Sequence, residues 1–558
     1  MWCTSFFASL NRSAGPGPDQ PERKSRRRPF KRRRLAFDGL EDRRLLSAGT
    51  VAPSGPEFMV NTTTTGEQQT QPFYLAGSIG RAVAMDGKGN SVAVWASQQF
   101  NSSGQYTGNW NVMFQLYTKT YDSTISNYDL QKEGGETTVA TSSRPSYSGY
   151  SNGPIVMVAR APTSGDFSVV WETDALNKFG SNVQSTHAEL FSANGTPLTA
   201  AMLVGGSGDN TPRSVAMDDN GFDVLYDTPN SNGLPVYGVQ RYSSSGAAEG
   251  RPISVAKTTG GDFFASIAMD ATGDFVVDWD NVTGTSPNWV YTINAQRYSS
   301  AGKAVGSAIQ VNQDTTQEQT ASDVGMDAAG DFVVTWNGVV QNVSGSNQSG
   351  GAIWVRTVSS SGVLGNQVEV VTPTAHLDST LKQWVIDSSA GNPAVAVQPG
   401  GAFDLAYVFQ SQTANDTTGQ ITSAANIDGD TFDAAGNSLQ TAFQVNDTTT
   451  TNNGFPSAAV DGAGELVIVW NANLVGAVSG DTGDVFGQFY ARPPAPATTA
   501  SSSAAPSSSP GGSSPGGSSP GGSSTGGSST AASDAAWAAY EYPLVDDGTL
   551  VALARRRR

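Results

Sequence analysis

A chain of 558 residues with formal charge −17, one cysteine and two histidines excludes several classes at once. Cys3 has no partner for an intrachain disulfide, and His187 and His376 cannot build a His-rich or HExxH metal site. No run of about 18 apolar residues occurs, so no transmembrane helix is expected, while 11 Trp and 23 Phe argue for packed cores over wholesale disorder.

In chain order, residues 1–48 form a basic leader, with 12 Lys+Arg against 5 Asp+Glu. The run SRRRPFKRRR (25–34) is not followed by the apolar stretch of a standard signal peptide. Residues 49–492 form the body, with 16 basic and 40 acidic groups, a field that repels nucleic acid and anionic membrane. Within it a signature near x-V-A-M-D-x-x-G-D-F-V-V-x-W recurs seven times. The copies close at Trp95, Trp171, Tyr226, Trp279, Trp336, Tyr407 and Trp470. The copy SVAMDDNGFDVLY, closing at Tyr226, is shifted by a residue. Such a tandem period points to a repeat architecture.

Each unit reads as four strands. The turn D-A-T-G or D-A-A-G places Gly late, where a tight hairpin needs positive φ. Phe275, Val277 and Trp279 then alternate at period two, as one face of a strand. INAQRYSSAG (293–302) supplies a third strand and AIQVN (308–312) a fourth. Four antiparallel strands per unit of about 60 residues predict a β-propeller blade. The last unit stops after its third strand, DVFGQFYA (484–491). EFMVN (57–61), before the first unit, matches the fourth-strand segments AIQVN and AFQVN (442–446). The predicted fold is therefore an all-β, seven-bladed propeller of four-stranded antiparallel blades, closed by an N-terminal strand, since an open array would leave sheet edges unpaired. Residues 493–530, with GGSSPGGSSPGGSS, read as a flexible linker, and 531–558 as a short tail ending RRRR. Leader, linker and tail are expected to be disordered.

The leader segment FDGLEDRRLLSAG (37–49) resembles the LEPR-xLL segment of planctomycete exported and surface proteins, through Leu40, Glu41, Arg43, Leu45, Leu46, Ser47 and Ala48. Asp42 stands where that family usually has Pro. The body units resemble the VNT…D-x-x-G-F-V-V-W repeats of large bacterial surface proteins. The resemblance implies a secreted or cell-envelope destination.

For chemistry, the turn aspartates Asp86, Asp218, Asp270, Asp327 and Asp461 recur at one position in five of the seven units, which marks them as hairpin caps, because an active-site residue would not repeat. NIDGDTFDAAGN (426–437), with Asp428, Asp430 and Asp433, is the best calcium candidate, but it lacks EF-hand spacing and aligns with the third-strand turn YSSAGK. Arg241 and Arg297 hold equivalent third-strand positions and read as structural. Asp278 stands where other units carry Val or Thr and reads as a polar group at a blade interface. The closing aromatics read as blade core, whereas Tyr106, Trp110 and Trp289, in or beside variable loops, read as a binding rim. No P-loop, G-x-S-x-G elbow or dinucleotide fingerprint occurs.

These readings predict a non-enzymatic, secreted or cell-surface binding scaffold, with no catalytic, cofactor-binding or metal-ligating residues and no cofactor. Its expected partner is an envelope polysaccharide or a surface protein, without nucleic acid or a membrane span, and its oligomeric state is left open. The alternatives are an extracellular carbohydrate-active hydrolase with carboxylates at the channel mouth, or a purely structural envelope protein. Two carboxyls in a pocket with an aromatic floor would favour the hydrolase.

Overall fold

The chain's computed structural model describes residues 50–71, 81–143, 153–176, 182–257, 264–285, 288–415, 417–447, 452–473 and 483–492. The leader with its LEPR-xLL-like segment, the Gly/Ser linker and the tail lie outside the described residues. One 3-10 turn, Val343–Gly345, is the single helical element among them; everything else regular is strand.

The seven units form seven antiparallel sheets. Blade four shows the plan: Ala265–Met269, Phe275–Thr285, Asn288–Tyr298 and Ala304–Gln310 pair in order. The first strands of blades one to seven are Val83–Met85, Val156–Arg160, Thr211–Met217, Ala265–Met269, Gln319–Met326, Trp384–Val397 and Asn452–Val460. They surround a channel lined mostly by their Val, Ala and Met residues.

Blade seven takes its fourth position from the N-terminal segment. Phe58 pairs with Gly487 and Met59 with Phe486, and Ala52 pairs with Ala491 farther along the same strand. The Val-Asn pair that made EFMVN legible has a physical role in each copy. The amides of Val60, Val311 and Val445 donate to the carbonyls of Val485, Ile293 and Ile427. The next residue turns back: Asn61, Asn312 and Asn446 accept the amides of those same three third-strand residues through their side-chain oxygens, at 2.8–2.9 Å. The ring therefore closes by the same bonds that finish an internal blade.

Apolar clusters fill the wedges between successive blades, and the last wedge joins Val467, Val469 and Phe489 of blade seven to Val83 and Trp95 of blade one. Trp95, Trp336 and Trp470 are fully buried in these wedges, and each indole N–H is met by a side-chain oxygen, of Gln68, Gln319 and Asn453 respectively. Burying one such side chain contributes upward of about 2 kcal/mol. The closing aromatics are thus core, as their period implies.

The hairpins between first and second strands lie at one end of the ring. Asp270 accepts the amides of Thr272 and Asp274, and Asp86, Asp327 and Asp461 repeat the pattern. Gly273, with φ +83°, makes the turn possible. In blade three the turn is one residue shorter, with Asp218 bonded back to Gly221, which accounts for the shift read in the sequence.

Candidate active site at the channel mouth

At the opposite end the first strands begin, and here the repeat breaks down. Strand alternation puts Val276, Asp278 and Asp280 of blade four on the face toward blade five. Val276 joins the apolar wedge with Val324 and Val334. Asp278 and Asp280 lie beyond it, nearer the mouth, where the wedge turns polar.

The polar groups there form a connected set. The Ser266 amide donates to Asp278 Oδ1 at 3.0 Å, and its hydroxyl donates to Asp323 Oδ1 at 2.8 Å. Ser214 Oγ lies 3.4 Å from Ser266 Oγ. Ser322 gives its hydroxyl to Asp280 Oδ1 at 2.5 Å. The Val395 amide of blade six donates to Asp323 Oδ2 at 2.9 Å. From blade one, across the channel, Arg81 donates through Nη2 to the Val324 carbonyl and stands 3.6 Å from Asp323. Five blades thus meet in one network.

Backbone irregularities aim these side chains. The first strands of blades three, five, six and seven each shift register near the mouth, between Pro212 and Ser214, Thr320 and Asp323, Gly391 and Ala394, and Gly454 and Ser457. Ala321, Asn392 and Phe455 adopt positive φ of 55°, 52° and 52° there. A bulge adds a residue on one side of a pair and turns the following side chain. In blade five that residue is Asp323.

Asp278, like Asp280, sits in the interior of this network. It is fully buried, and its Oδ2 has no hydrogen-bond partner among the described residues. Burial pushes its carboxyl up to about 8, with the nearby Asp323 charge adding to the rise against the opposing effect of Ser322, the Ser266 amide and Arg81. The shift favours the protonated form of the acid. The residue after the closing aromatic is polar in five of the seven blades, as Glu172, Asp227, Asp280, Asn337 and Asn471. Asp227 holds Arg213 through Nε at 2.5 Å in a buried pair. Elsewhere, burial raises half-buried Glu67, beside Gln69 and Gln98, to about 7.

The structure places the other sequence candidates as follows. Asp433 caps a third-strand turn by accepting the amides of Ala435 and Asn437, while Asp428 and Asp430 lie on the strand before it, with Tyr407 donating to Asp430 at 2.6 Å. The segment is not a single loop of ligands. Arg241 pairs with Asp223 at 3.3 Å, and Arg297 donates to the Ser360 carbonyl of the next blade, both structural roles. Trp110 does not belong to a rim: it is wholly buried in the wedge between blades one and two, because its strand runs inward from the loop. Tyr106 and Trp289 are half-buried. His187 stacks on Trp171 at 5.7 Å, and His376 meets Asp387 at 2.7 Å on the surface. The channel beneath the network holds about 160 Å³, room for about five waters, and its described lining contains no aromatic ring. Among the described residues no helix is long and apolar enough to cross a membrane.

No protein-family model and no curated protein matches the chain. Among solved structures, it is similar to a protein of unknown function from Dyadobacter fermentans, at 11% identity and TM-score 0.39 over 79% of this chain and 98% of that one. It is also similar to an ulvan lyase of a new polysaccharide-lyase family, at 8% and 0.40 over 78% and 95%. A third likeness is to an α-L-arabinofuranosidase from Fusarium graminearum, at 10% and 0.36 over 67% and 98%. These likenesses concern architecture alone. The expectation of a non-enzyme is not upheld, since the similar structures include a polysaccharide lyase and glycoside hydrolases, and that reading is withdrawn.

Proposed function

We propose that the protein is an extracellular carbohydrate-active hydrolase that works at the mouth of its channel. The observation that carries this reading is Asp278: a fully buried carboxyl, shifted toward its protonated form, with one oxygen free and a second carboxyl on the same strand face. Asp278 and Asp280 are two residues apart, a rise of about 6.6 Å. In this reading Asp278 gives its Oδ2 proton to the glycosidic oxygen as the C–O bond breaks. Asp280 takes a proton from the water that attacks the opposite face of the sugar. Asp278 ends ionised and Asp280 protonated, and exchange with solvent restores both.

Arg81 is the network's contact with solvent, its side chain one-quarter exposed and 3.6 Å from Asp323. The small channel keeps the polymer outside, so the reaction takes place at the opening. The export address rests on the resemblance of residues 37–49 to the LEPR-xLL segment.

The test is release of reducing ends from a panel of polysaccharides by the purified full chain and by Asp278→Asn. The expected result is release by the parent and at least a hundredfold loss in the variant, in line with general-acid catalysis. Equal release by both proteins, or none by the parent from any polymer, would refute the reading.

A further inference from the structure

Where the ring closes, between blades one and seven, three polar side chains meet far from the mouth. Lys119 lies on the third strand of blade one, Tyr106–Asp122, and its amine crosses to the turn of blade seven, between Asn452–Val460 and Leu466–Asn473. There Nζ stands 2.8 Å from Asp461 Oδ2 and also meets Glu465 Oε2. The side chains of Lys119, Asp461 and Glu465 are only 14%, 0% and 9% exposed, and the Tyr128 ring lies over the amine at 5.3 Å. The reach depends on Gly89 in the turn of blade one, where a Cβ would come within 2.6 Å of Lys119 Cδ and 2.8 Å of Nζ.

Asp461 is set up differently from the other turn aspartates. Its Oδ1 accepts the amides of Ala463 and Glu465, both at 2.8 Å, the pattern of Asp86, Asp270 and Asp327. Its Oδ2 faces an amine, and among the described residues no other turn aspartate faces a lysine. Asp86 has Arg160 at 3.5 Å, a guanidinium that stays protonated and is no nucleophile. Burial raises the Glu465 carboxyl, Lys119 opposes the rise and the Asp461 charge adds to it, which suits Glu465 to hold a proton and pass it on. Burial by itself would lower the Lys119 amine, but Asp461 and Glu465 outweigh it and favour the charged form, so the amine must lose a proton before it can attack.

We propose that Lys119 and Asp461 join through a side-chain amide, with Glu465 as the proton carrier, so that a covalent bond closes the ring. Glu465 moves one proton from Nζ to Asp461 Oδ2, leaving a neutral amine against a neutral carboxylic acid. The Nζ lone pair attacks Cγ, and the charge that develops on Oδ1 is held by the amides of Ala463 and Glu465, already aimed at it. Glu465 then carries a second proton from Nζ to Oδ2, the Cγ–Oδ2 bond breaks and water leaves. Three hydrogens on the starting ammonium become one on the amide and two on the water, and Glu465 ends as it began. The joined residues are 342 positions apart, so the bond ties most of the propeller into one covalent loop and constrains the unfolded chain as a long-range disulfide would. A chain with a single cysteine has no intrachain disulfide for that purpose.

The experiment is mass spectrometry of the purified full chain after denaturation, intact and as a protease digest, beside Lys119→Arg and Glu465→Gln. The parent is expected to weigh one water less than its sequence requires, and its digest to contain a branched peptide joining Lys119 to Asp461. Both variants should regain the water and give linear peptides alone. The parent's own digest decides the matter, so the test holds even where a variant fails to fold. Linear peptides for both residues in the parent would overturn the proposal. So would a missing water with both peptides linear, as ring closure of Asp461 onto the Gly462 amide would give, or a branch from Lys119 to Glu465. A branch that persists in Glu465→Gln would overturn the role given to Glu465.

Discussion

Blade four contains two aspartates eight residues apart that illustrate opposite uses of one side chain. Asp270, in the hairpin at one end of the ring, accepts the amides of Thr272 and Asp274 and has counterparts in the same turn of other blades. Asp278, toward the other end, stands where the remaining blades place Val94, Val170, Leu225, Thr335, Ala406 and Val469. It has an unbonded oxygen and a carboxyl raised to about 8. In a ring of repeats, a residue that recurs solves a problem every blade has. One that departs from the pattern at a cost in desolvation serves the whole ring once.

This contrast can be broken at four places. The largest effect belongs to the recurring framework: Trp336→Ala should cost about 3–5 kcal/mol, because it empties a wedge and orphans Gln319, and chemical denaturation reads it directly. Asp278→Asn should do the reverse, lowering sugar release at least a hundredfold with no loss of melting temperature at pH 8, since the amide removes the cost of a buried ionisable acid. Asp270→Ala should cost about 1 kcal/mol and leave activity within twofold, as a turn residue remote from the mouth. The smallest effect is a slope with pH. Asp278 is raised to about 8, and Asp223 and Glu67 to about 7, chiefly by burial. Their unfolded values are near 4, so between these limits the folded chain holds protons that the unfolded chain has lost. Stability is therefore expected to fall as pH rises from about 5 to 8. Thermal melts across this range check the sign, and Asp278→Asn should flatten the upper part of the curve.

The framework was legible because its determinants are local. A turn of Asp and Gly, a strand alternating to an aromatic and the Val-Asn ending all lie within short windows, and EFMVN could be matched to AIQVN and AFQVN across the closure. The position of Asp278 was legible as an oddity, read as an interface polar group. Its role was not, because its partners come from elsewhere: Ser266 lies twelve residues back, Asp323 in the next blade and Arg81 in the first. The bulges were hidden too, since Ala321, Asn392 and Phe455 are not residue types that announce a positive φ. Trp110 was misplaced for a related reason. Its nearness to a loop suggested a rim, but strand alternation turned it into the wedge between blades one and two.

The account turns on the protonation of one carboxyl, and infrared difference spectroscopy of the parent against Asp278→Asn at pH 6.5 reads it directly. The predicted result is a protonated-carboxyl C=O band in the parent that is absent from the variant and titrates away near pH 8. An ionised carboxylate at pH 6.5, with no such band to lose, would contradict the assignment of Asp278 as the acid.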